Sequence, residues 1–247
     1  MGRTVRGYPS VLMVFLLLQG GFWYLTHQRV PDMTIVPTPP GKATLDVLAF
    51  GDGEFLFRSM AFIMGNAGDT FGRTTPLYKY DLDKVHRWFS LLDNYNRESN
   101  LLPSLAAYYY SQTQRREEAR HMVYYLKEHA LADIGKNWWW LVQATYIALH
   151  RVEDSDLALE VATPLANAPG VPVAMQQLPA LVHEQRGEFG DALYIMEGIL
   201  DSEQEIPESD LRYMNYFIDE RINKLDELDE KARRRLGAPP AAQPEGK

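Results

Sequence analysis

The side chains able to do chemistry in this chain are narrow in kind. It holds six histidines and 33 carboxylates but no cysteine, which removes disulfides, thiol catalysis and Cys-ligated zinc. The histidines are His27, His86, His121, His129, His150 and His183. No two stand four residues apart, so no single helix can aim a histidine pair at one metal ion. "HEQRG", from His183, begins like a zinc-protease motif, but Gly187 stands where the second histidine belongs. "GDGEF" (51–55) and "GDTFGR" (68–73) carry glycines, yet neither follows a strand pattern, as a nucleotide loop would. No serine sits in a nucleophile elbow. The carboxylates fall on helical faces, where solvated surface is the ordinary reading. Catalytic residues, cofactor and metal are therefore all expected to be none. An enzyme is the third-ranked reading, kept only because carboxylates from separate helices could meet in a groove.

Two aromatic runs stand out instead. Tyr108, Tyr109 and Tyr110 lie in "AAYYYSQ", and Trp138, Trp139 and Trp140 in "NWWWLVQATYIALH". Helical neighbours point about 100° apart, so three consecutive rings cannot share one buried face. The net charge of −8 argues against a general nucleic-acid binder.

These residues must be positioned by helices, since almost nothing in the chain has a strand pattern. Residues 8–26, "YPSVLMVFLLLQGGFWYLT", carry no charge. As a helix they would extend about 29 Å, close to bilayer thickness, with rings at both ends. No small-x-small cleavage site follows, so an uncleaved anchor (residues 1–29) is expected rather than a signal peptide. Arg3 and Arg6 precede it and Arg29 follows, a bias toward a cytoplasmic N-terminus. The expected location is a bacterial inner membrane, single-pass, with the C-terminal domain periplasmic. All the carboxylates lie beyond residue 30, against a body lying flat on anionic lipid. Residues 30–42, "VPDMTIVPTPPGK", read as an extended Pro-rich linker, residues 43–236 as a helical domain, and residues 237–247 as a disordered tail.

Within the helical domain, pairs recur. A small or compact residue precedes an apolar one by seven positions at Val85 and Leu92, Ala119 and Leu126, Ala158 and Leu165, and Ala192 and Ile199. The first members are 34, 39 and 34 residues apart, a spacing typical of stacked helical repeats. Over roughly residues 50–202 the chain resembles a divergent tetratricopeptide repeat (TPR) array. Gly187 and Phe189 fit that family's inter-helix turn. Ala107 with Ala119, Ala144 with Ala158, and Ala180 with Ala192 fit its small crossing residues, and Trp140 its large aromatic, where Pro103 and Gln176 depart from it. A further long helix follows, with Leu211, Met214, Ile218, Ile222, Leu225 and Leu228 as one apolar stripe, suited to capping a repeat stack.

The resemblance implies an all-α, TPR-like helical-hairpin solenoid with an N-terminal transmembrane helix and a long C-terminal capping helix. In that register Trp140 and Tyr110 point into their own pair, and Tyr109 and Trp139 toward neighbouring repeats. Tyr108, Ser111, Gln112, Trp138, Thr145, Leu181, Glu184 and Gln185 line a concave groove. An aromatic, amide-lined groove suits a protein or peptide partner. The function expected is a membrane-anchored scaffold or adaptor. The rival to the groove is that all six rings are packed by adjacent repeats or by the long C-terminal helix. The alternative function is a structural subunit of an inner-membrane complex, its N-terminal helix packed against other spans and its helical body docked rigidly.

Overall fold

The computed structural model describes residues 8–27, 34–70, 73–202 and 204–223. In chain order they form α1 (Tyr8–Thr26), α2 (Lys42–Leu48), α3 (Gly53–Gly65), α4 (Leu82–Leu92), α5 (Leu101–Tyr108), α6 (Arg116–Leu131), α7 (Ile134–Ile147), α8 (Ser155–Ala162), α9 (Val173–Gln176), α10 (Leu178–Gln185), α11 (Phe189–Leu200) and α12 (Glu208–Tyr216). The only strand pairing among the described residues is a two-residue ladder, Asp69–Thr70 against Arg73–Thr74.

Four aspartates start four of these helices. Asp52, Asp81, Asp133 and Asp154 each accept a hydrogen bond from the backbone N–H three residues on: Phe55 at 2.9 Å, Lys84 at 3.1 Å, Lys136 at 3.3 Å and Leu157 at 2.9 Å. Each satisfies an N–H that the helix leaves unpaired and contributes about 1 kcal/mol.

From α4 onward, helices pack on near neighbours in sequence. α6 lies against α4, α5 and most extensively α7; α8 packs on α7 and α10, and α10 on α11. A large core runs from Val36 to Val182, and a smaller one gathers Val173, Ala180, Ala192, Met196, Ile199, Met214 and Phe217. The paired small residues Ala107 and Ala119, Ala144 and Ala158, and Ala180 and Ala192 are all buried.

The regular repeat is not what organises this packing. α5, α8 and α10 have 8 residues each, against 16 in α6, 14 in α7 and 12 in α11. The widest interface, α6 on α7, crosses an expected repeat boundary. α5 tightens into a 3-10 turn at Tyr110–Gln112, and α7 relaxes into a π turn at Ala148–Val152 that ends on left-handed Glu153 (φ 58°). The fold is an all-helical domain without the uniform hairpins of a TPR solenoid.

The membrane anchor is also corrected. Among the described residues no helix is long and apolar enough to cross a membrane. In α1 the unbroken apolar run is residues 11–18, about 12 Å of helix against a hydrocarbon core of roughly 30 Å, before Gln19, Gly20 and Gly21 interrupt it. The transmembrane helix, the single-pass inner-membrane and periplasmic location, and membership of a membrane complex through residues 8–26 fall with that finding. The side chains of residues 10–25 are exposed.

Of the Pro-rich segment, residues 34–40 lie against α4. Val36 is buried in the core, Trp88 Nε1 donates to the Pro37 carbonyl at 2.7 Å, and Lys84 Nζ donates to Thr34 Oγ1 at 3.1 Å. At the other end, Met214 and Phe217 are buried while Leu211 is exposed, and the helix passes into a π segment at Phe217–Asn223. The Ile222, Leu225 and Leu228 side chains and residues 237–247 lie outside the described residues.

Candidate interaction surface

The aromatic triplets divide as helix geometry requires. Tyr110 and Trp140 are buried; Tyr108 is 53% exposed, Tyr109 38% and Trp139 42%. Tyr110 sits edge-on to Phe89 and Tyr80 and donates its hydroxyl to the Met64 carbonyl at 2.6 Å; burial pushes that hydroxyl's pKa well above the ordinary tyrosine range. It thereby ties α5 to the end of α3. Trp138 is half-buried against the core and meets Trp139 edge-on at 5.8 Å. Trp139 Nε1 donates to the Tyr108 hydroxyl at 3.0 Å, and the Tyr108 ring lies 6.3 Å from that of Trp140. Tyr108 and Trp139 thus form one exposed pair across α5 and α7, with half-buried Trp138 beside it.

The cluster is part of a larger face. On α5, Leu101, Leu105 and Tyr108 follow each other at i, i+4 and i+7, one side of a helix. On α7, Trp139 and Tyr146 are seven apart and both exposed; on α3, so are Phe55 and Phe62. α5 touches both α3 and α7, and the stripes meet where Phe62 lies beside Leu101 and Leu105 and where Trp139 bonds Tyr108. Between α3 and α5 the surface dips into a cleft of about 720 Å³ with Phe57, Ala61, Phe62, Leu101 and Leu105 in its wall. Gly65, in the same wall, lies under Leu105. The loop after α3 is pinned by Tyr80, whose hydroxyl donates to the Ala67 carbonyl. Gly68 there has φ +75°, and a Cβ on it would overlap the Tyr80 hydroxyl.

The eight residues expected to line one groove take up differing settings, with Gln112 Nε2 donating to Ser111 Oγ at 3.2 Å. Ser111 and Thr145 are buried, and each hydroxyl turns back on its own helix, to the Ala107 carbonyl at 2.6 Å and the Leu141 carbonyl at 2.8 Å. This short-range bond satisfies a buried hydroxyl locally. Gln112 is exposed and accepts from Arg151. Leu181 packs into the smaller core, and Glu184 pairs with Arg221 at 2.6 Å beneath the C-terminal segment; Gln185 is exposed. Tyr108 and Trp138 both contact Trp139 in the aromatic cluster of α5 and α7. Phe55, Phe62, Leu101, Leu105 and Tyr146 were missed. Their i, i+4 and i+7 spacings are legible in the sequence, but the repeat register puts the groove on α10 instead of α3.

Two titratable clusters complete the inventory. Asp93 and His129 are buried, with Asp93 Oδ2 2.8 Å from His129 Nδ1 and Asp93 Oδ1 accepting from the Tyr125 hydroxyl at 3.1 Å. Burial and the adjoining Asp93 carboxylate push the Tyr125 pKa far up. No side chain of this cluster reaches the surface, so it links α4 to α6. At the α10–α11 turn, His183, Glu188 and Asp191 offer ligand atoms within 4.8 Å of one another. However, Glu188 Oε2 stands only 2.7 Å from His183 Nδ1 and 2.8 Å from Arg186 Nε. Two ligands on one tetrahedral zinc stand roughly 3.3 Å apart, and Arg186 also pairs with Asp156. The arrangement is that of an ion-pair brace. Desolvation works against the Glu188 carboxylate, but its bonds to His183 and Arg186 prevail and hold its pKa down.

Compared with family models, curated proteins and solved structures, the chain shows no match. The TPR resemblance is accordingly withdrawn: no model of that family matches the chain, and its packing lacks the regular hairpin.

Proposed function

We propose that this chain is a protein-interaction module that captures an apolar segment of a partner on its α3–α5–α7 face, and that its role is binding and not catalysis. The observation carrying this reading is the alignment of three exposed aromatic or apolar stripes on adjoining helices, Phe55 and Phe62, Leu101 and Tyr108, Trp139 and Tyr146. Contiguous exposed apolar surface of this kind costs solvation free energy unless something covers it. Large rings bind with little loss of conformational freedom and dominate interface energetics. The cleft between α3 and α5 gives the face a concavity of ligand-pocket size.

The test is site-specific photo-cross-linking in cells of the source organism. A benzophenone side chain at Tyr108 or Tyr146 should give one discrete adduct, and the same group at Tyr194, exposed on α11, should not. Trp139→Ala should remove the adduct without changing the melting temperature. Equal labelling from Tyr194, or none from either α5 or α7, overturns the proposal.

A further inference from the structure

We infer that the α3–α5 cleft is the anchor point of that face, and that its occupant is a helical segment of another protein carrying an apolar side chain beside a lysine or arginine. The inference rests on the reading above. Its basis is how the cleft's polar rim is spent. Asn66 Nδ2 donates to the Phe62 carbonyl at 2.8 Å, capping α3. Asn96 Nδ2 donates to Glu54 Oε2 at 2.8 Å, and Arg58 Nε to Glu54 Oε1 at 2.6 Å. These bonds lie within the chain and leave Arg58 in an ion pair with Glu54, the rest of its guanidinium exposed. With Glu54 and Arg58 paired to each other, the charge that the lining leaves without an ion pair among the described residues is the Glu98 carboxylate.

Below the rim the wall is apolar, with Phe57, Ala61 and Leu105 flanked by Phe62, 71% exposed, and Leu101, 44% exposed. A side chain with an aliphatic stem and a cationic head matches that layering, with the stem on the wall and the head at the rim. Charge acts the same way over distance, since the chain carries −8 overall and would steer a basic segment inward. The Leu101, Leu105 and Tyr108 stripe continues from the cleft to the Trp139 cluster. An occupant helix with anchors at i, i+3, i+4 and i+7 would follow that line.

The test uses two amphipathic probe peptides with leucine at i, i+3, i+4 and i+7, one with lysine at the remaining positions and its twin with glutamate there. Binding to the full chain is followed by fluorescence anisotropy at low and at high salt. The lysine probe should bind about tenfold more tightly than its twin, with the advantage shrinking as salt screens it. Glu98→Lys should weaken the lysine probe by about fivefold, and Phe62→Arg by tenfold or more. Both positions are exposed, and unchanged circular dichroism and melting temperature would verify the fold. If Trp139→Ala weakens the lysine probe and Phe62→Arg does not, the aromatic face stands and the cleft anchor is refuted. If neither variant matters, both readings fail. Equal binding of the two probes, or a self-association that Phe62→Arg abolishes, also overturns the inference, the latter assigning the cleft to a second copy of this chain.

Discussion

Removing the Asp93 carboxylate should be among the most destabilising single changes in this protein. Asp93 caps the C-terminal end of α4, where the helix dipole opposes a negative charge. It is nevertheless buried, held by His129 Nδ1 at 2.8 Å and the Tyr125 hydroxyl at 3.1 Å, with Arg97 Nε at 3.9 Å. Asp93→Ala orphans two buried donors on α6, each costing about 1–3 kcal/mol, and His129 Nε2 is already without a partner. Relief of the dipole conflict returns about 0.3–1 kcal/mol. The expected net loss is about 3 kcal/mol, in the range found when one member of a buried pair is deleted. For a chain of this size that lowers the melting temperature by roughly 6–12 °C. Urea denaturation followed by circular dichroism would measure it, with a cycle pairing Asp93→Ala and His129→Ala. The two changes should be strongly non-additive, because either one already breaks the contact. Joint replacement by Asp93→Leu, His129→Leu and Tyr125→Phe should recover most of the loss, since no buried polar group then lacks a partner. A single-variant loss under about 0.5 kcal/mol, or simple additivity, would refute this reasoning.

Other outcomes follow from the same packing. Trp140→Ala should cost about 3–5 kcal/mol by leaving a cavity in the core, whereas Trp139→Ala should cost less than about 1 kcal/mol; equal losses in urea titrations would mean the exposed ring is core after all. Ala192→Leu should overpack the buried α10–α11 contact by about 1–3 kcal/mol, and an unchanged melting temperature would count against a close approach there. Burial pushes the Tyr80 hydroxyl up to about 12, and it pushes those of Tyr110 and Tyr125 higher still. The unfolded chain would lose these protons near pH 10 while the folded chain keeps them. Their contribution to stability is therefore complete below about pH 10 and is lost as pH rises toward the folded values. Melting temperatures should fall steeply from about pH 10 to 12, and Tyr80→Phe should flatten part of that slope; a level profile would contradict the burial of these hydroxyls.

Helix starts were written locally. Asp52, Asp81, Asp133 and Asp154 each precede a helix and cap it through a bond only three residues long, so nothing distant is needed to specify them. The same holds for the outcome that no triplet could be wholly buried, which follows from the angle between neighbours on a helix, and for the small residues at Ala119, Ala158 and Ala192. What covers each face was a different matter. Val36 docks on the core from a proline-rich segment whose composition says extended but not where it lies. Ser111 and Thr145 had groove-facing register positions, but neighbouring helices closed over them and their hydroxyls turned to their own carbonyls. Phe62 and Leu105 stand 43 residues apart in sequence yet line one cleft, and nearby Tyr110 reaches back to the carbonyl of Met64. Periodicity tells which side chains share a side of one helix. Only the long-range packing, settled by the volume and polarity of every neighbour at once, decides which of those sides meets another helix and which is left exposed.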